Sequence, residues 1–297
     1  MAWGDPVEKI ENWFKDTLAE MAQNSLVRAS ETIGGVVDAT SDSISKTPKT
    51  WNPDLFESLQ NVSDVAIVPI AVGIMSIIIC YDLITACMDR NNMKEFDTSI
   101  FFRFIIKAWV AIYFINNVFS ICGALIELGS DIAEKALGTL FTEEQQITLV
   151  LKSEEFKNVL TDCSLGDVIL TGLLSLLVYI ISLAVMVIVL IVTAGRMIEI
   201  LIYFCAAPIP FATFTNKEWS NVGFSFLKNI VALALQGFFI VITLAIYVIL
   251  FNLNVTNITT DFNSLSGALF NWICYSIVCC FMLLKTGSIS KSILGTH

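Results

Sequence analysis

The sequence predicts an all-α polytopic integral membrane protein. It has about five transmembrane helices, a re-entrant or interfacial segment broken by prolines, and an N-terminal amphipathic helix. Three observations carry that prediction. Hydrophobic residues make up 56% of the 297 positions and charged residues 15%, and mean hydropathy is +0.75, well outside the soluble globular range. Residues 168–192 form an uncharged run of twenty-five, enough to cross a hydrocarbon core that needs ~20 residues at a helical rise. Directly behind it come Gly195-Arg196-Met197-Ile198-Glu199-Ile200 and Ala206-Ala207-Pro208-Ile209-Pro210-Phe211. This tail stays apolar yet holds an Arg, a Glu and a Pro-x-Pro break. A backbone broken in that way cannot face lipid, where freed N–H and C=O groups find no partner. The tail is therefore buried in protein, lines a polar cavity, or lies at the membrane surface.

The elements follow in order. Residues 5–23 read as an amphipathic helix, with Asp5 as cap, Pro6 at the first helical position and Glu8 completing a capping-box-like pattern. Val7, Ile10, Trp13, Phe14, Leu18 and Met21 recur at helical spacing, giving an aromatic-rich face. That face lies in the membrane interface, packs on a partner, or folds back on its own protein. Residues 29–50, with Gly34-Gly35 and many Ser and Thr, read as loop-like, with room for a short helix. Five apolar segments follow at about 65–88, 101–126, 168–192, 230–251 and 265–284. Residues 193–214 are either a sixth span or a helix extension that ends at the Pro pair. The expected organisation is an N-terminal extracytoplasmic region (1–64), a first transmembrane hairpin (65–126), an acidic outer loop (127–167) and a C-terminal bundle (168–297).

Charge sets the expected orientation. Basic residues cluster at Arg90, Lys94, Arg103 and Lys107, at Arg196, Lys217 and Lys228, and at Lys285 and Lys291, whereas loop 127–167 carries nine acidic residues against three Lys. The positive-inside rule then places 89–99, 213–228 and the C-terminus in the cytoplasm. With those sides fixed, 193–214 does not cross fully, and the N-terminus is extracytoplasmic. Residues 1–30 lack a charged region followed by an apolar stretch, so internal segments are expected to direct insertion.

Composition also narrows the function. With 27 Asp+Glu against 17 Lys+Arg, a broad nucleic-acid-binding surface is disfavoured, while a local basic path inside an oligomer stays open. The only histidine is His297, so no Ser-His-Asp triad, Cys-His dyad or HExxH zinc site can be built. No P-loop motif occurs, and no cofactor or metal is expected. Six of the eight cysteines sit in apolar stretches, where a free thiol behaves as a small hydrophobe; Cys122 and Cys163 leave one disulfide open. Three sequons, beginning at Asn61, Asn254 and Asn257, fall outside the cytoplasm on this topology.

The polar residues within apolar segments are the candidate channel, packing or assembly residues. Arg103 and Lys107 share a helical face. They snorkel to the headgroups or form a basic stripe along a pore or polyanion, and either is placed to pair with Asp82. Arg196 and Glu199 also share a face, so they pair with each other or bridge between subunits. Asn116, Asn117 and Gln236 are of the type that bonds across helices.

These blocks resemble a known family. Gly195-Arg196-Met197-Ile198-Glu199-Ile200 and the Pro208/Pro210 segment, then Asn216-Lys217-Glu218 and Leu235-Gln236-Gly237-Phe238-Phe239-Ile240, resemble the TrbL-type membrane subunits of conjugative type IV secretion systems. The likeness is to the branch carried by conjugative elements of Gram-positive bacteria. Trp51-Asn52-Pro53, Val68-Pro69-Ile70-Ala71, Tyr81-Asp82-Leu83-Ile84, Asp89-Arg90-Asn91-Asn92 and Phe96-Asp97-Thr98 agree. The resemblance runs over nearly the whole chain, the loop at 130–165 excepted.

It implies a non-enzymatic, multi-pass subunit of the bacterial cytoplasmic membrane that helps translocate DNA–protein substrate. Such a subunit forms homo-oligomers and works beside secretion ATPases and other secretion subunits, in transient contact with single-stranded DNA. By position, Gly195, Arg196, Glu199, Pro208 and Pro210 match the family's central motif, which implies structure or gating. The alternative is a solute or ion transporter using the broken helix around Pro208 and Pro210, against which stands the lack of an inverted repeat.

Overall fold

The computed structural model describes residues 4–88, 98–141, 164–256 and 262–296. Among them every regular element is helical. Helix α1 spans Gly4–Ser45, so the stretch expected to be loop-like from residue 29 onward continues as helix. Its hydroxyls explain the difference. Thr32, Thr40 and Ser30 donate to the carbonyls of Arg28, Val36 and Val27 within the same helix, so their polarity is satisfied without leaving it. Ala19, Ala22, Leu26, Ala29, Ile33 and Val36 are buried at alternating spacings of three and four, a heptad-like seam. Ile10, Trp13, Phe14 and Met21, the predicted aromatic face, are exposed instead.

Two short capped helices turn the chain. Thr47 and Thr50 form a reciprocal capping box around α2 (Pro48–Trp51), and Asn52 Oδ1 accepts from Leu55 N at 3.0 Å to start α3 (Pro53–Val62). A π-helical turn over Ser63–Ile67 leads into α4 (Val68–Met88), the Val68 amide donating to the Ser63 carbonyl. The widened turn lies just ahead of Pro69, whose ring would crowd the preceding turn of a regular helix.

Helix α5 (Thr98–Asn116) and α6 (Val118–Leu140) meet at a 60° bend. The span expected at 101–126 is thus broken at Asn117. There the Asn117 side-chain amide donates to the Tyr113 carbonyl at 2.9 Å, in its own helix rather than across helices, a local competitor for the backbone.

Helix α7 covers Leu165–Ala206 as 42 unbroken residues, so 193–206 is a helix extension. Ser164 caps it, its hydroxyl accepting from the Asp167 amide at 3.3 Å. Beyond Ala207 come α8 (Pro208–Ala212) and a 3-10 turn (Thr213–Thr215), then α9 (Ser220–Thr256) and α10 (Phe262–Ile293). Gly295, at φ 63°, ends α10 by letting the Thr296 amide return to the Lys291 carbonyl at 3.0 Å.

Among the described residues four helical stretches are long and apolar enough to cross a membrane: Pro53–Thr85, Leu165–Ala206, Ser220–Asn254 and Ser264–Ile293, with the bent α5–α6 pair as a fifth. This is the helical, multi-pass class that the sequence predicts.

The chain divides into two compact units. The first holds Met1–Ser43, Glu134–Thr193 and Phe239–Thr286; the second holds Ile44–Ala133, Ala194–Phe238 and Gly287–His297. In the first, a buried polar chain links α9 and α10, with the Tyr247 and Ser276 hydroxyls 2.9 Å apart and the Trp272 indole donating to Tyr247 at 3.3 Å. Phe251 packs against Trp272 with ring centroids 4.0 Å apart. In the second, Phe56, Phe119 and Phe204 meet edge to face, and Phe211 meets Phe214 and Phe226 likewise, geometries favoured by the ring quadrupole.

Candidate functional site

The candidate site lies within the second unit, where α7 carries Arg196 against α9. Arg196 is 2% exposed. Its Nε donates to the Leu233 carbonyl at 3.0 Å and its Nη2 to the Ala234 carbonyl at 3.5 Å. Among the described residues no carboxylate pairs with it, so main-chain oxygens carry the compensation of a buried charge. Space for the guanidinium comes from Gly237: a Cβ there would lie 2.8 Å from Arg196 Nη1. The same turn of α9 is approached from α6, where a Cβ on Gly129 would meet the Ala234 carbonyl oxygen at 2.5 Å. Small residues thus let the Arg196 guanidinium seat against α9 on one side and the α6 backbone approach α9 on another, the packing mode expected where apolar helices associate without a solvent drive.

Glu199 does not pair with Arg196, although the two share a helical face. Its carboxylate takes the Lys291 ammonium of α10 at 3.0 Å. One residue earlier, the Ser290 hydroxyl donates to the Ala232 carbonyl of α9. Gln236 sits 7% exposed with its amide against Gly287. Among the described residues its Oε1 has no hydrogen-bond partner. Gly195 touches nothing that a Cβ would disturb.

The Pro-broken segment is buried in protein, the first of the three placements open to it. Ala207, Phe211 and Ala212 belong to the core with Ala71, Met75, Ala111, Ile115 and Phe119. Proline removes an amide and a turn's continuity; the Phe204 carbonyl takes the Ala207 amide at 3.3 Å instead, and threonine hydroxyls satisfy carbonyls at the far end of the segment. Thr213 Oγ1 donates to the Pro210 carbonyl at 2.7 Å, and Thr215 Oγ1 to the Ala212 carbonyl at 3.1 Å. Thr213 Oγ1 also accepts from the Gly223 amide at 3.2 Å, one of the first four N–H groups of α9, which lack intrahelical acceptors. Pro208 is buried at the start of α8.

A second polar cluster gathers around Asp82. Lys107 Nζ lies 3.3 Å from Asp82 Oδ2, the pairing expected from the sequence. Asn216 Nδ2 donates to the other carboxylate oxygen, and Asn216 Oδ1 accepts from the Glu218 amide at 2.6 Å. The Arg103 side chain, Cys163, and most of the acidic loop lie outside the described residues. At the opposite end of α4, the Ser63 hydroxyl donates to the Cys205 carbonyl at 2.9 Å. The chain from 205 to 216 therefore runs along α4 from Ser63 to Asp82. The structure thus sets Ser63 and Cys205 side by side.

Asn216, Thr213, Gly129 and Gly237 went unassigned in the sequence. Asn216 and Gly237 stand within the resembling blocks, but nothing in those blocks says that one ligates Asp82 and the other houses Arg196.

The family described as TrbL/VirB6 plasmid conjugal transfer like protein matches residues 33–208, more than half of the chain. The match takes in Asp82, Lys107, Gly195, Arg196, Glu199 and Pro208, and it also covers the loop at 130–165. It ends before Pro210 and before the blocks at 216–218 and 235–240, so it is narrower than the resemblance read along the sequence. No curated protein and no solved structure matches the chain. The long apolar helices and the matched region make the protein a multi-pass membrane component of a conjugal transfer system. The chain belongs to the TrbL/VirB6 family of plasmid conjugal transfer-like proteins.

Proposed function

We propose that the protein is a channel or scaffold subunit of a conjugative type IV secretion machine, seated in the bacterial cytoplasmic membrane and helping DNA–protein substrate across it. The observation that carries this reading is the use made of Arg196. In a family member, the most buried cation of the central segment spends its donors on the carbonyls of Leu233 and Ala234. That is the behaviour of an internal strut. The broken segment around Pro208 and Pro210 is filled by Phe204, Phe211, Ala207 and Ala212, which supports a packing role over a substrate cavity of the transporter kind. Secretion ATPases and further copies of the chain are the partners this role calls for. Lys107, half exposed beside Asp82, is the group we assign to transient contact with single-stranded DNA, and its face is the one we place toward the cytoplasm.

Deletion of the gene tests the reading. Conjugative DNA transfer is expected to be abolished while growth and solute uptake stay normal, and the protein purified from membranes is expected to bring secretion ATPases with it. Normal transfer in the deletion strain overturns the assignment. Crosslinking of transferring DNA to a photoreactive residue at Lys107 separates a channel-lining role from a purely scaffolding one.

A further inference from the structure

Helix α1 has two long faces. The seam from Ala19 to Val36 is buried, as above, and on the other side Ile10, Trp13, Phe14 and Met21 are 66, 67, 42 and 60% exposed. At 100° per residue, Ile10, Phe14, Thr17 and Met21 fall within a sector of about 60°. Their spacing of four, three and four repeats that of a helix-pairing seam.

Charge decides what covers it. Glu20 is exposed and lies two turns along the same line as Trp13, and exposed Glu11 flanks the stripe on its other side. Glu11 is tied to Lys15 at 3.3 Å. Over residues 5–23 five carboxylates stand against two lysines. Hydrocarbon would strand the Glu20 charge, and interfacial helices that lie on anionic bilayers carry Lys and Arg on the polar face rather than acids. A second copy of the same helix would set carboxylates against carboxylates, which like charges at flanking seam positions oppose.

We propose that this face docks a basic amphipathic helix of a different protein, its apolar stripe meeting Ile10, Phe14 and Met21 and its Lys or Arg flanks meeting Glu11 and Glu20. Trp13 is the anchor, an aromatic of the kind that dominates such contacts. The inference is independent of the conjugation reading, since it rests on α1 alone.

The test uses the full-length chain in nanodiscs of neutral phosphatidylcholine. Two synthetic helical peptides serve as probes, each with a Leu seam, one flanked by Lys and one by Glu. The Lys peptide is expected to bind at least tenfold more tightly than the Glu peptide and to shift the Trp13 emission, read as the difference from a Trp13→Phe chain. Glu20→Lys and Phe14→Ala are each expected to weaken it about tenfold, while Glu57→Lys, in the other unit, leaves it unchanged. Unaltered thermal melting and helicity of the variants show that folding is intact, and Glu20→Gln gives a milder second reading of the charge. Equal binding of the two peptides overturns the proposal. So does quenching of Trp13 by brominated lipid as strong as that of exposed Trp109, which would make the face lipid-covered. Ready disulfide dimerisation of a Thr17→Cys chain overturns it too, by assigning the face to a second copy.

Discussion

Gly237 leaves vacant the volume that the Arg196 guanidinium fills, with a Cβ at that position 2.8 Å from Nη1 and 3.0 Å from Cζ. An arginine tip can usually swing aside, but this one is buried and held by two carbonyls. Gly237→Ala is therefore expected to lower stability by about 1–3 kcal/mol, the usual scale of overpacking. In an Arg196→Met background the same change should cost much less, because the crowded group is gone. Thermal melts of the four proteins in detergent give the cycle, and a coupling near zero would mean the two residues do not meet.

Arg196 itself separates charge from reach. Arg196→Lys keeps a buried cation but cannot span both carbonyls, whereas Arg196→Met removes the charge and keeps much of the volume. Breaking the satisfaction of a buried charge is costlier than removing it. Lys is expected to be the less stable variant by on the order of 2 kcal/mol. Melting of the two variants side by side decides, and a Lys variant as stable as wild type contradicts the strut.

Two glycines of α6 differ in what surrounds them. A Cβ on Gly129 would strike the Ala234 backbone at 2.5 Å, while one on Gly123 meets nothing within 4 Å. Backbone cannot move aside as a side chain does, so Gly129→Ala should force α6 from α9 and cost 2 kcal/mol or more, on the order of the larger overpacking penalties. Gly123→Ala should be neutral or slightly stabilising, by about 0.5 kcal/mol, since Ala is the better helix former. Chemical or thermal unfolding of the pair is the comparison.

Thr213 serves both sides of the proline break, donating to the Pro210 carbonyl and accepting from the Gly223 amide. Thr213→Val keeps the shape and loses both bonds, leaving a buried amide without an acceptor. The expected loss is on the order of 2 kcal/mol, and Thr213→Ser should recover more than half of it. Amide exchange at Gly223 should rise in the Val variant and stay slow in the Ser variant.

Legibility in the sequence follows range. The α7 span was readable because twenty-five uncharged residues leave few other readings. The Asp82–Lys107 pair was readable because a short hairpin brings its two ends together. Arg196 and Glu199 misled because a spacing of three permits a local pair but does not require it; each turns instead to a different distant helix. The helical stretch after residue 29 was hidden by its Ser and Thr content, since composition cannot show hydroxyls bonding back to their own turn. Gly129 and Gly237 were illegible for a simpler reason. A glycine's significance here is the neighbour it admits, and that neighbour is remote in the chain.

The contact between Arg196 and α9 is addressed to main-chain oxygens, and every turn of a helix offers such oxygens. By itself it would seat equally well one turn up or down, and the two helices would slip past each other by about 5.4 Å. The missing side chain at Gly237 makes one turn unlike the rest. Sliding register between these helices is thus encoded by the absence of an atom, and any residue larger than glycine there would erase the mark while leaving every hydrogen-bonding group in place.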